Sequence, residues 1–130
     1  MQLGTLSGNP IAAVAGLKTL EILRRDGMYQ RLRHIGQDIM EMATDALNDA
    51  GVPHQIVGDQ TLFDVVFSET PVRNYRDVVA SDYEKNAKFN AVLRAKGLLK
   101  PLGKIYPSLA LSDGDMNQIE EAMRAGARAL

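Results

Sequence analysis

A short loop near the start of the chain combines the residue types that bind phosphate groups. Residues 4–10 read Gly-Thr-Leu-Ser-Gly-Asn-Pro, so two glycines, two hydroxyls and an amide precede a predicted helix. Pro10 suits the first helical turn, and Asn9 suits the N-cap. Because the first amides of a helix and its dipole attract anions, the loop could hold a phosphate. A capped helix start without a ligand is the simpler alternative, since the loop matches neither common nucleotide-binding glycine pattern.

The composition excludes several classes of site. The 130 residues contain no cysteine and only two histidines, so disulfides, thiolate sites and a His-rich metal centre are excluded. The net charge of −1 does not indicate the excess of basic residues that is typical of proteins that bind nucleic acid. No apolar run is long enough to cross a bilayer, and no signal-peptide pattern opens the sequence. We therefore expect a cytoplasmic protein without metal, nucleic-acid or membrane partners.

Hydrophobic periodicity predicts the elements that position the loop. In chain order these are helices at 10–25 and 28–47, strands at 54–58 and 62–67, a short helix or turn at 74–82, a helix at 83–96, strands at 98–101 and 104–111, and a last helix from 112. Ser112 and Asp115 predict a capping box at the start of that last helix. Helices and strands are intermixed without a regular β-α-β period. This order predicts an α+β domain, with helices packed on one face of a small antiparallel sheet.

Few charged residues are candidates for a catalytic role. Asp64 lies in an apolar strand pattern and is expected on its solvent side, with Phe63 and Val65 facing inward. His34 lies beside an apolar helix stripe and receives no site role. The six lysines are expected at the surface: 18, 85, 88, 96, 100 and 104. No nucleophile–base set, paired carboxylates or metal-ligand spacing is visible, so we predict no catalytic residue in the chain.

The opening loop and the residues after it resemble a segment of a known enzyme family. Residues 4–10, followed by alanines at 12, 13 and 15, Gly16 and Leu20, are similar to the G-T-x-x-G-N-P…A-G…L segment of class III pyridoxal-phosphate-dependent aminotransferases. The resemblance is greatest to glutamate-1-semialdehyde 2,1-aminomutase-like members. Residues 108–115 also resemble the S-L-A-H-T-E-E-D segment near the aminomutase C-terminus. The resemblance thus extends over nearly the whole chain.

The resemblance implies a fold, a cofactor and a binding loop. Residues 1–130 would be the C-terminal small domain of a fold type I pyridoxal-phosphate enzyme, with residues 1–25 forming the cofactor loop and a long linking helix. In the family, the threonine of the motif bonds the cofactor phosphate of the neighbouring subunit. That role would fall on Thr5, beside Gly4. The chain would also supply dimer contacts and one wall of the channel for a small amino-acid or amino-ketone substrate.

The rest of the family's machinery lies outside this sequence. The Schiff-base lysine, the pyridinium partner and the large domain precede the loop in the family. We therefore expect a larger, dimeric amino-group-transferring enzyme as the parent. The 130 residues alone should show no catalysis and negligible cofactor affinity. A substrate-clamping arginine of the aminotransferase branch corresponds to Lys104, which lacks the bidentate fork.

A different class of function also fits the pattern. The chain could be a stand-alone interaction or oligomerisation domain, with the opening loop a plain helix cap. The small residues of the first helix and the regular apolar stripe of the second favour this alternative.

Overall fold

A computed structural model describes residue 4, residues 8–101 and residues 103–130. The chain divides into two units, Met1–Arg31 and Leu32–Leu130. The described elements are helices α1 (Pro10–Leu23) and α2 (Met28–Asp49), strands β1 (Gln55–Asp59) and β2 (Leu62–Val66), and helices α3 (Tyr75–Val79), α4 (Tyr83–Ala95) and α5 (Asp113–Arg128). The predicted α+β class with a small antiparallel sheet is confirmed. None of the helices in the described ranges is both long and apolar enough to span a bilayer.

The first unit contains α1, which begins where the sequence predicts. The Asn9 side chain accepts hydrogen bonds from the backbone amides of Ile11 and Ala12, and Pro10 occupies the first turn. Gly27 adopts a φ of +79° just after the helix, a conformation that costs glycine little. No residue of α1 is buried.

The second unit is organised around a hairpin of two strands. β1 and β2 pair antiparallel, from Gln55 opposite Val66 to Asp59 opposite Leu62. The Asp59 carboxylate closes the turn by accepting bonds from the amide and hydroxyl of Thr61, at 3.0 and 2.8 Å. The hairpin predicted from the two β-branched runs is confirmed.

The core of the second unit joins α2, β2, α4 and α5. Phe67 meets the ring of Phe89 edge-on, with centroids 5.4 Å apart. Full burial of each large apolar side chain contributes about 1.5–3 kcal/mol, so these residues dominate the stability of the unit. The largest fully buried side chains are Phe63, Phe89, Leu47, Leu93, Met123 and Val65.

The caps of the later helices follow from single residues. Asp82 caps α4 by accepting a bond from the Lys85 amide at 2.9 Å. Ser112 and Asp115 form the predicted capping box at α5. Both helix starts are therefore set by local side-chain chemistry.

The two strands predicted at 98–101 and 104–111 are wrong. In the described part of these segments, only Ile105 pairs with the sheet, through a bridge to Phe63 with N–O distances of 3.3 and 2.7 Å. Pro107 lacks a backbone N–H at the next hydrogen-bonding position after Ile105, so the ladder cannot continue in that direction. The segment therefore meets the outer edge of β2 at one residue.

Candidate functional site

The opening loop lies partly within the described residues. Thr5, the predicted phosphate-binding residue, lies outside them, whereas its neighbour Gly4 is exposed and has a φ of +152°. Gly8 is also exposed, with a φ of +81° and open space where a Cβ would stand. Both glycines adopt the conformation for which glycine was predicted here. A ligand group can approach the backbone closely at such positions.

The N-terminus of α1 uses its amides internally. Asn9 Oδ1 accepts from the Ile11 amide at 2.9 Å and from the Ala12 amide at 3.2 Å. The Ala13 amide donates to the Asn9 carbonyl at 2.9 Å, and Pro10 has no amide hydrogen. The first-turn donors that a phosphate would need are therefore already satisfied. Any phosphate contact of this region must come from the loop residues before the helix.

Exposed apolar side chains occur on several sides of α1, beside the exposed Lys18–Glu21 ion pair. Ile11, Val14, Leu17 and Leu20 are between 49% and 81% exposed. At 100° per residue these four positions and Leu23 are spread around the helix rather than along one stripe. A helix with this much exposed apolar surface normally packs against other elements.

The second unit contains an apolar cavity of about 300 Å³. Its walls come from α2, α4, α5 and the segment 97–107. Apolar side chains form most of its lining, among them Ile39, Leu93, Leu98, Leu111, Ile119 and Met123. Lys100, Lys104 and Asp115 are the charged residues at its wall in the described part of the chain. A mostly apolar cavity with a few polar groups is the usual form of a small-molecule site.

A buried ion pair lies at this cavity. The Lys100 ammonium is 3.7 Å from Asp64 Oδ1, and the two side chains are 8% and 10% exposed. Asp64 Oδ1 also accepts the Val65 amide at 2.9 Å, and Lys100 Nζ donates to the Pro101 carbonyl at 3.1 Å. Burial raises the pKa of the Asp64 carboxyl above its ordinary value, although the Lys100 charge opposes the rise. Burial lowers the pKa of Lys100 in the same way, against the attraction of Asp64.

Two expectations from the sequence are wrong at this pair. Asp64 was expected on the solvent side of β2, but it is 7% exposed. Lys100 was expected at the surface, but its side chain is almost fully buried. The bridge between Ile105 and Phe63 holds Ile105 at the outer edge of β2, and Lys100 of the same segment approaches Asp64. A carboxylate within an apolar strand and a lysine within the run Leu-Leu-Lys-Pro were the available signals.

The other two charged residues of the cavity wall, Asp115 and Lys104, have different surroundings. Asp115 Oδ2 accepts bonds from the Ser112 amide at 2.8 Å and from the Ser112 hydroxyl at 2.7 Å. These bonds lower the pKa of the Asp115 carboxyl. Lys104 is exposed, and its charge is felt at both Asp64 and Lys100. Lys104 lies at the cavity wall.

Comparison with known proteins gives this architecture a family context. No protein-family model matches the chain. The chain is 36% identical over 124 residues to glutamate-1-semialdehyde 2,1-aminomutase 2 of Brevibacillus brevis, a match that covers 93% of this chain and 29% of that protein. An omega-transaminase from Sphaerobacter thermophilus shares the fold, with a TM-score of 0.76 and 21% identity over 99% of this chain and 30% of its own. A transaminase with PLP bound gives a TM-score of 0.74 and 19% identity, covering 98% of this chain and 29% of its own.

The chain thus spans less than a third of the length of the relatives that it matches. The predicted resemblance is confirmed by a sequence match and by a shared fold over nearly all of the chain. Over nearly all of its length, the chain is therefore similar in sequence to a C-terminal portion of a glutamate-1-semialdehyde 2,1-aminomutase, and it shares its fold with part of solved transaminases.

Proposed function

We propose that this chain acts as the C-terminal part of a dimeric pyridoxal-phosphate enzyme that transfers an amino group. The observation that carries the proposal is the 36% identity to an aminomutase over 93% of the chain. The substrate would be a small amino acid or amino ketone, and the parent enzyme would be cytoplasmic. The chain would form one wall of the substrate channel.

The exposed surface of α1 supports a role within a larger assembly. Its exposed apolar side chains lie on several sides of the helix, and none is buried. We expect the large domain of the same enzyme and the partner subunit to cover them. Without that cover the chain should neither catalyse amino transfer nor retain the cofactor, because one loop offers too few contacts to offset the entropy of binding.

The cofactor phosphate would be held by the loop that precedes α1. Pyridoxal phosphate, when bound, supplies the electron sink that amino transfer requires. Gly4 and Thr5 would contact the phosphate bound in the partner subunit. The described residues fit this role, since Gly4 and Gly8 are exposed at positive φ and Gly8 has open space at its backbone. Asn9 anchors the loop by capping α1, so it would fix the loop and leave the phosphate to the residues before it.

The test uses Thr5 variants of the full-length enzyme. Thr5→Ala should weaken cofactor retention about tenfold or more, because a hydrogen bond to a charged group is worth roughly 1.5–3 kcal/mol. Thr5→Ser should retain the cofactor. Thr19→Ala is the matched control, since the Thr19 hydroxyl donates to the Ala15 carbonyl within α1 at 2.9 Å. Retention is measured by cofactor absorbance after dialysis, and folding by circular dichroism.

Equal retention by the Thr5→Ala variant and the unmodified enzyme would remove Thr5 from the phosphate site. Loss of the cofactor in the Thr19→Ala variant would show that the assay reports α1 stability instead. Both outcomes are distinguishable from failure of the amino-transfer proposal, which would appear as an unmodified full-length protein without bound cofactor.

An oligomerisation domain without catalysis is the second candidate, and the exposure of α1 also favours it. In that case the 130-residue chain should associate through α1 alone. Sedimentation of the chain with Leu17→Glu separates the two, because Leu17 is 68% exposed and its replacement leaves the core intact. A well-defined oligomer that Leu17→Glu dissociates supports the oligomerisation domain. A monomer, or non-specific aggregation that the variant relieves, supports the enzyme portion.

A further inference from the structure

The Asp64–Lys100 pair is poorly explained by stability alone. Its 3.7 Å separation is longer than a hydrogen bond, yet both side chains are about nine-tenths buried. Two charges removed from water in this geometry recover little of their desolvation cost, and apolar residues would serve the fold as well. A buried pair whose lysine lines a cavity is a candidate for a binding role.

Two of the three charged residues in the described part of the cavity lining are lysines, which favours an anionic ligand. Both lysines, Lys100 and Lys104, come from one segment. Asp115 of α5 is the carboxylate at the wall, and both of its short contacts are used by the Ser112 cap. Asp64 of β2 lies behind Lys100 rather than in the lining. The remaining lining is largely apolar, so it suits a ligand with an apolar body.

We propose that this cavity binds a small molecule with an apolar body and one anionic group, that Lys100 contacts the anion, and that Asp64 is a positioning residue that keeps the Lys100 ammonium charged in the wall. The inference requires neither the cofactor nor amino transfer. Lys104, which is exposed, would add attraction at the cavity wall without being held in place by a partner carboxylate.

The role assigned to Asp64 has a physical basis. Desolvation favours the neutral form of Lys100, and the Asp64 carboxylate opposes that effect. Without Asp64, Lys100 would lose its proton at a lower pH, and the anion would lose its partner. Asp64 would thus act through Lys100 and touch no ligand atom.

The first test measures binding of a defined probe to the 130-residue chain. The probe is 4-phenylbutyrate, and its neutral control is 4-phenylbutyramide. Amide chemical shifts of the cavity residues should report binding of the acid at least tenfold more tightly than the amide, the range of one hydrogen bond to a charged group. Lys100→Met should greatly reduce this preference. The matched control is Lys96→Met, which breaks the exposed Lys96–Glu121 pair of 2.9 Å and should leave it unchanged.

The second test separates positioning from structure through a pH profile. In the unmodified chain the preference for the acid should persist to alkaline pH. In Asp64→Asn the midpoint of its loss should shift to lower pH, by about one unit or more for a partner charge this close. A merely structural role for Asp64 would weaken binding at every pH without moving the midpoint.

Three results would overturn the proposal. They are equal affinity for the acid and the amide, an undiminished preference in Lys100→Met, and an unmoved midpoint in Asp64→Asn. The double variant Asp64→Asn/Lys100→Met buries no charge, and so provides a folded reference should either single variant unfold. Its preference for the acid over the amide must be smaller than that of the unmodified chain for the proposal to stand.

Discussion

A Cβ atom placed on Gly126 of α5 would lie 2.7 Å from Cδ2 and Cε2 of the Phe89 ring on α4. The Phe89 ring is also constrained by Phe67, because the two rings meet edge-on with their centroids 5.4 Å apart. Gly126 is therefore required for close packing between α4 and α5 and not for a turn. The four residues Phe67, Phe89, Leu93 and Gly126 form the contact that sets the spacing of these helices.

Gly126→Ala should destabilise the chain by about 1–3 kcal/mol, because an added methyl group forces the Phe89 ring from its place. The matched control is Gly114→Ala in the same helix, where the nearest atom to the new Cβ is Ser112 Oγ at an ordinary 3.6 Å. Urea denaturation gives the free energy of unfolding of each variant. Equal stability of the two variants would contradict the packing argument.

Gly36→Ala should have a larger effect than Gly126→Ala. A Cβ on Gly36 of α2 would stand 1.7 Å from the Gln60 carbonyl oxygen, and this neighbour is backbone in the hairpin turn. A side chain can rotate away, whereas the turn would have to shift, so we expect a loss of about 3 kcal/mol or more. Gly16→Ala is the control, because nothing lies within 4 Å of its new Cβ. Thermal unfolding that ranks Gly36→Ala no worse than Gly126→Ala would refute the distinction.

Local chemistry made much of the fold predictable from the sequence. Asn9 and Ser112 cap helices because their side chains reach amides two or three residues away. The hairpin follows from two β-branched runs around a turn at Asp59 and Gln60. Each of these features depends on contacts within a few residues, which a sequence pattern contains.

The buried pair could not be predicted, because its partners are distant in the sequence. Asp64 is buried where the segment that carries Lys100 and Ile105 meets the edge of β2. The apolar run before Pro101 suggested a strand, but in the described part of this segment only Ile105 pairs with the sheet. Because that strand prediction was wrong, the burial of Lys100 was not predicted either. Thr5 lies outside the described residues, so its phosphate contact stays a prediction.

Replacing both charges of the buried pair should leave stability unchanged or raise it. Asp64→Leu with Lys100→Met removes two desolvated charges whose 3.7 Å contact is long, and such replacements are typically neutral or stabilising by about 1–4 kcal/mol. Lys100→Met alone should destabilise by about 3 kcal/mol, because it leaves the Asp64 carboxylate buried without its partner. Denaturant midpoints of the three proteins at neutral pH provide the measurement. A double variant less stable than Lys100→Met would show that the pair itself stabilises the fold.

The Asp64–Lys100 pair should make the free energy of unfolding depend on pH in two ranges, one acid and one alkaline, with opposite directions of change. The folded pKa of Asp64 is raised above 3.8, so its favourable contribution is present below that value and is lost as pH rises through the folded pKa. The folded pKa of Lys100 is lowered below 10.5, so its contribution is present above that value and is lost as pH falls through the folded pKa. Both contributions are absent between the two folded values, where both groups are charged.

We therefore compare the free energy of unfolding of the unmodified chain with that of Asp64→Leu/Lys100→Met. The unmodified chain should be least stable, relative to the double variant, near neutral pH. Its relative stability should increase both at acid and at alkaline pH. The change in each range amounts to about 1.4 kcal/mol for every unit by which the folded pKa departs from its unfolded value. Urea denaturation of both proteins across the pH range gives the difference directly, since the remaining titrating groups are common to both. If the unmodified chain gained most near neutral pH, ionisation of the pair would be favoured by folding. Burial would then be the smaller effect, and the attraction between Asp64 and Lys100 the larger.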